Sequence, residues 1–123
     1  AYVYPLAASA LNHESGTHDM MSEASAGQAR IQAMEDYDAA LSIDPRLPYA
    51  WMGKGCLLYE SSDYAGAAGC FSQALELAPD LGPAMFNRAL CMLRLGRKRE
   101  AVADLSRAGE LGVVAAYNLL KNI

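Results

Sequence analysis

From Pro48 onward, apolar and small side chains recur at three- and four-residue intervals. Trp51, Gly55, Leu58 and Tyr59 mark one such stretch; Tyr64, Ala67, Ala68, Phe71, Ala74 and Leu75 mark the next. That spacing predicts two amphipathic helices with apolar faces turned inward. Between them stands the polar run Glu60-Ser61-Ser62-Asp63, rich in side chains that accept backbone N–H bonds at a helix start. The second helix should stop at Leu77-Ala78-Pro79, because Pro79 has no N–H to donate and biases Ala78 away from the helical region. Further on, Leu95-Gly96-Arg97 reads as a turn, with Gly96 free to take a positive φ.

The pattern repeats. A shift of 34 residues places Trp51 on Met85, Gly55 on Ala89, Leu58 on Met92, Ala67 on Ala101, Phe71 on Leu105, Ala74 on Ala108 and Leu77 on Leu111. Even the odd cation recurs, Lys54 on Arg88. The reverse shift places Ala67, Phe71, Ala74, Leu75, Leu77 and Pro79 on Ala33, Tyr37, Ala40, Leu41, Ile43 and Pro45. So many size-matched coincidences at one offset identify an array of helix pairs. Gly55, Ala67, Ala74, Ala89, Ala101 and Ala108 let two antiparallel helices approach closely, while Trp51, Phe71, Met85 and Leu105 fill the gaps between neighbours. A lone pair would leave one apolar face wet, so such units stack.

With these residues in hand, the chain resembles the tetratricopeptide repeat family. The resemblance rests on Trp51-x2-Lys54-Gly55-x2-Leu58, then Ala67-x3-Phe71 and Pro79, with Asp63 to Pro79 especially typical. Lys54 and Leu58 stand where the family usually has Leu and Tyr. Phe86-Asn87-Arg88-Ala89 through Ala103-Asp104-Leu105 resembles a common variant, and the similarity runs from about Gln28 to Leu111. It implies an all-α fold, a right-handed superhelix of stacked antiparallel helix hairpins. The expected division of residues 1–123 is a degenerate first repeat over 1–45 with a long loop near 12–19, a second over 48–79, a third over 82–112, and a capping helix over 113–122.

The ends are less regular. The first unit has a good second helix, but Thr17, Met21 and Ala24 stand where its first helix should be, among Gly16, Gly27 and several serines. One account puts that helix at Tyr2 to Leu11, where Val3, Leu6, Ala7, Ala10 and Leu11 share a face, with an extended helix from near Met20. The other makes residues 1–20 a tail. At the far end Val114, Tyr117, Leu120 and Lys121 suit a helix closing the last apolar face. The contrast suggests the C-terminal part of a longer array.

Composition narrows the function classes. Hydrophobic residues make up 53% and charged residues 20% of 123, a globular balance. A net charge of −4 argues against nucleic acid as partner. No apolar run approaches the roughly 20 residues that span a bilayer. Cys56, Cys70 and Cys91 sit in apolar stretches without metal spacing, which suits buried free thiols and favours the cytoplasm or another reducing compartment.

Catalytic chemistry finds little support. His13 and His18, beside Glu14 and Asp19, lie in the expected loop, where solvated side chains are the default and a metal would want four ordered ligands. Gly53-Lys54-Gly55 lacks the glycine spacing of a phosphate loop. No cofactor is expected, and the chain reads as a non-enzyme.

The resemblance implies instead a concave groove lined by the first helices of successive units. Here that face carries Tyr49, Met52, Cys56, Tyr59 and Glu60, then Pro83, Phe86, Asn87, Leu90, Leu93 and Arg94. Expected partner-binding residues are Tyr49, Met52, Cys56, Tyr59, Phe86, Asn87, Leu90 and Arg94. Chaperone-adaptor members grip a terminal carboxylate with Lys, Arg and Asn in this groove; only Asn87 and Arg94 are of those types here. Four or five apolar anchors at roughly 1.5–3 kcal/mol each, against about 4–15 kcal/mol for association, give micromolar peptide binding. The expected role is a scaffold that binds a protein or peptide. The alternative is a structural end of a longer array, or a self-association module.

Overall fold

The computed structural model describes residues 20–123. The suggested helix at Tyr2 to Leu11, the loop near 12–19, and His13 and His18 lie outside the described residues. Six helices follow one another: α1 (Met20–Ile43), α2 (Pro48–Glu60), α3 (Tyr64–Leu77), α4 (Gly82–Arg94), α5 (Lys98–Glu110) and α6 (Val114–Leu120). Each packs on the next, and α2 also touches α4. All elements among the described residues are helices, stacked as successive hairpins.

The stops and starts follow the sequence. Proline occupies the first turn of α2 and of α4, where a missing N–H breaks no helical bond. Asp63 caps α3, its Oδ1 accepting from the Gly66 N–H at 3.0 Å. α3 ends at Leu77, one residue before the non-helical Ala78 that precedes Pro79.

Three hairpin turns share one hydrogen-bond pattern. The N–H groups of Asp63, Arg97 and Val113 donate to the carbonyls of Leu58, Met92 and Ala108, each five residues back. Those of Ser62, Gly96 and Gly112 donate three residues back. This is the Schellman closure, which needs a left-handed residue just past the helix. Gly96 (φ 77°) and Gly112 (φ 97°) supply it, and so does Ser62 (φ 66°), the residue 34 places before Gly96.

The core runs through the array. Phe71, Leu105, Cys56 and Cys91 are fully buried, and Ala67, Ala74, Ala84, Ala89, Ala101, Ala108 and Ala116 have no exposed surface. Gly55 sets the α2–α3 approach: a Cβ there would stand 2.7 Å from the Phe71 ring. Gly53 does the same for α1, where a Cβ would run into the Tyr37 ring. Trp51 is half-buried beside Met52, Ala74 and Leu75, and its Nε1–H donates to the Pro45 carbonyl at 2.8 Å. The indole thereby ties α2 to the turn that ends α1.

The repeated cation is a staple between helices. Lys54 pairs with Asp38 of α1 at 2.8 Å. Its counterpart Arg88 reaches the equivalent place on α3, donating to Ser72 Oγ at 3.1 Å, and grips both carboxylate oxygens of Asp104 on α5 at 2.7 and 2.8 Å. Three helices meet on one guanidinium.

Candidate functional site

The candidate site is the face that α2 and α4 share. On α2, Met52 and Cys56 lie one turn apart, flanked by Tyr49 before and Tyr59 after. On α4, Phe86 and Leu90 hold the positions of Met52 and Cys56, with Asn87 and Arg94 beside them. The structure sorts these eight into two groups by exposure. Met52, Cys56, Phe86 and Asn87 are buried and form a floor. Tyr59 and Leu90 are half-buried, while Arg94 and the 72% exposed Tyr49 form a rim. The family resemblance pointed to this face; how deeply each position is covered depends on neighbouring helices, which spacing along one helix does not encode.

Asn87 is the polar centre of the floor. Its side chain is 1% exposed. Its Nδ2 donates to Cys56 Sγ at 3.6 Å, joining α4 to α2. Its Oδ1 has no hydrogen-bond partner. An unpaired buried acceptor costs about 1–3 kcal/mol, so this oxygen is a standing demand for a donor.

A second cluster sits at the rim. Arg94 Nε donates to the Tyr59 hydroxyl at 3.3 Å, and the guanidinium lies 5.9 Å from the Tyr59 ring centroid and 5.6 Å from that of Tyr64. The two rings meet edge to face at 5.1 Å. The hydrogen bond to Tyr59 raises the Arg94 pKa further above its ordinary value. Sequence reasoning placed Tyr59 and Arg94 in the groove but missed Tyr64. Tyr64 belongs to a second helix, and its nearness depends on the tightness of the α2–α3 turn.

Burial disfavours the thiolate at all three cysteines. Burial pushes Cys56 and Cys91 up to about 12, and burial also raises Cys70. All three are free and buried. No group of three or more His, Cys, Asp or Glu side chains among the described residues is arranged to hold a metal. A cleft lined by Ser72, Arg88, Met92, Glu100, Ala103 and Asp104 is charged, but its cation and carboxylate already satisfy each other. No described helix is long and apolar enough to cross a membrane.

Comparison with known proteins bears on this geometry. Residues 48–81 match the family model of the tetratricopeptide repeat. Among curated proteins, the chain is 38% identical over 77 residues to protein FlbA of Caulobacter vibrioides, covering 63% of this chain and 13% of that one. It is 35% identical over 91 residues to the CTR9 homolog of Arabidopsis thaliana, covering 72% and 8%. A shorter match, 37% over 49 residues, joins it to the mouse protein O-mannosyl-transferase TMTC1, covering 40% and 5%. The chain thus corresponds to a small part of each relative's length. Among solved structures, the first TPR of Spaghetti (RPAP3), bound to the HSP90 peptide SRMEEVD, superposes with a TM-score of 0.73 at 21% identity, covering 78% of both chains. The helix pairs, their turns and the family match agree: residues 48–81 match the tetratricopeptide repeat, and the described helices stack in the tetratricopeptide repeat fold.

Proposed function

We propose that this chain is a non-enzymatic scaffold that binds a segment of another protein along the face of Tyr49, Met52, Cys56, Tyr59, Phe86, Asn87, Leu90 and Arg94. The observation that carries the reading is Asn87: a buried amide on a binding-type face whose Oδ1 lacks a donor. A backbone N–H of an extended segment is the donor it lacks. The rim of Tyr49, Tyr59, Leu90 and Arg94 offers the first contacts, and the floor is engaged as flanking side chains swing aside. A similar fold solved with a peptide bound supports the same reading.

Peptide capture tests it. The full chain is screened on an array of random-sequence peptides, and captured peptides are titrated by fluorescence anisotropy. Asn87→Ala should weaken binding about tenfold and the double variant Tyr59→Ala/Leu90→Ala about a hundredfold, one lost anchor or polar contact being worth roughly 1.5 kcal/mol. Phe86→Ala is a poorer probe, because Phe86 is 5% exposed and belongs to the core. Unchanged affinity in both variants would show that partners bind elsewhere.

A second reading has its own observation. α6 leaves Val114 64% and Tyr117 47% exposed, an apolar surface at one end of the stack. It suits the end of a longer helical array or contact between copies. Light scattering separates the readings, since a monomer across micromolar concentrations favours the groove.

A further inference from the structure

Charge is unevenly placed along this chain. Between Arg94 and Glu100 stand four cations, Arg94, Arg97, Lys98 and Arg99, and one carboxylate, leaving six cations against thirteen carboxylates elsewhere. The seven residues form the α4–α5 turn and the opening of α5, and all are exposed. Ion pairs among the described residues join Lys54 to Asp38, Arg88 to Asp104 and Arg107 to Asp80; none uses these four cations. Helix stability does not account for Lys98 and Arg99 either, since cations in a first turn oppose the helix dipole, whereas Arg94 in the last turn of α4 suits it. The nearby carboxylates are engaged: Asp63 caps α3, Glu100 faces the Arg88 cleft, and Glu60 has its own contact.

Arg94 links the patch to the proposed groove. Arg94 is the last residue of α4, and the rings of Tyr59 and Tyr64 hold its guanidinium in place while it stays exposed. A segment lying along Tyr49, Leu90 and Tyr59 therefore leaves the groove beside Arg94 and runs onto Arg97, Lys98 and Arg99.

We propose that the α4–α5 turn is a charge-reading extension of the groove, and that the partner segment carries Asp or Glu residues next to its apolar anchors. The inference rests on the groove reading and adds the partner's chemistry. Charge complementarity commits the site to an acidic stretch of protein. A long polyanion fits less well, because it would meet the carboxylates that dominate the rest of this small molecule.

The random-sequence array tests this with the full chain and with Arg97→Gln/Lys98→Gln/Arg99→Gln. These side chains are exposed, so the variant should keep its helical circular dichroism. The wild type should capture peptides enriched in Asp and Glu on one side of an apolar pair, and the variant should lose that enrichment while still capturing apolar peptides. For a captured acidic peptide, affinity should fall about tenfold in the variant, in a Glu→Gln version of the peptide, and on raising salt from 50 to 300 mM, as roughly three exposed pairs of modest strength imply. Apolar capture without acidic enrichment overturns the inference and leaves the groove standing. Acidic capture that survives Tyr59→Ala/Leu90→Ala keeps the basic turn as a site and removes the groove. No capture overturns both. Tighter binding to a single-stranded DNA 20-mer or to phosphatidylserine vesicles than to the acidic peptide overturns the assignment to protein.

Discussion

At the scale of single residues, the repeat serves as its own control. Ser62 and Gly96 occupy the same place in successive units, with the same two hydrogen bonds and φ values of 66° and 77°. A left-handed conformation costs a residue with a Cβ about 1–2 kcal/mol and glycine almost nothing. Ser62→Gly should therefore stabilise the protein by about 0.5–1 kcal/mol, the gain being trimmed by glycine's greater freedom when unfolded. Urea denaturation reads this as a higher midpoint at unchanged slope, and a lower midpoint would show that the Ser62 side chain matters more than its backbone. The sequence disclosed the turn, through its polar run and through Gly96, but not the strain, because serine is an ordinary turn residue without a preference for positive φ. The thiols give a second test. The ordinary cysteine value is 9.0, and burial raises Cys56 and Cys91 to about 12. A thiol whose folded pKa lies above its unfolded one contributes stability that is fully present below pH 9 and is lost as pH rises towards 12. Denaturation midpoints should hold steady from pH 7 to about 8.5 and then fall, and Cys56→Ala should flatten that decline. Rapid reaction of all three thiols with an aromatic disulfide at pH 8 in the folded state would contradict it.

At the scale of elements, periodicity made α2 to α5 legible because each carries a complete stripe of apolar positions bounded by a cap or proline. α1 was legible as an extended helix from near Met20, but repeat matches marked only its second half, where Tyr37 packs against Gly53 and Leu41 is buried. Its earlier part runs through Gly27 with exposed side chains at Ser25, Ala26 and Gln28, so no inward stripe supported that expectation there. Lys54 and Arg88 were legible as a recurring cation but not as staples, since their partners lie on other helices. Arg88 and Asp104 are 26% and 15% exposed, and the pair is bidentate. Arg88→Ala leaves the Asp104 carboxylate without its main partner, and a loss of about 2 kcal/mol is expected. Arg88→Ala/Asp104→Ala should cost clearly less than the two single changes together, because the second removes a charge already stranded. Additive costs in that cycle would show that each side chain acts through separate contacts.

At the scale of the whole molecule, stability should be graded along the stack. Among the described helices, α2 to α5 each pack between two others, whereas α1 and α6 each pack on one. α3 and α4 hold many of the buried residues, among them Phe71, Ala74, Phe86 and Cys91, whereas α6 contributes Ala116 and α1 contributes Leu41. Length exaggerates the difference at one end. α1 has 24 residues, α2, α4 and α5 have 13 each and α3 has 14. At 1.5 Å per residue, α1 is about 36 Å long beside partners of about 20 Å, so its first turns overhang α2. Native-state hydrogen exchange should find amides of residues 67–75 and 86–92 slowest. Those of 25–30 and of α6 should exchange at least a hundredfold faster, a gap of about 3 kcal/mol in opening free energy. The gradient also bears on binding, since the proposed groove lies along α2 and α4, near the protected centre. A partner seated there should slow exchange in both helices, and in the α4–α5 turn if its flank is acidic, while leaving residues 25–30 unchanged. Uniform protection across all six helices would mean that the stack opens as one cooperative body, with inner and outer units too strongly coupled for the neighbour-by-neighbour account of its stability to hold.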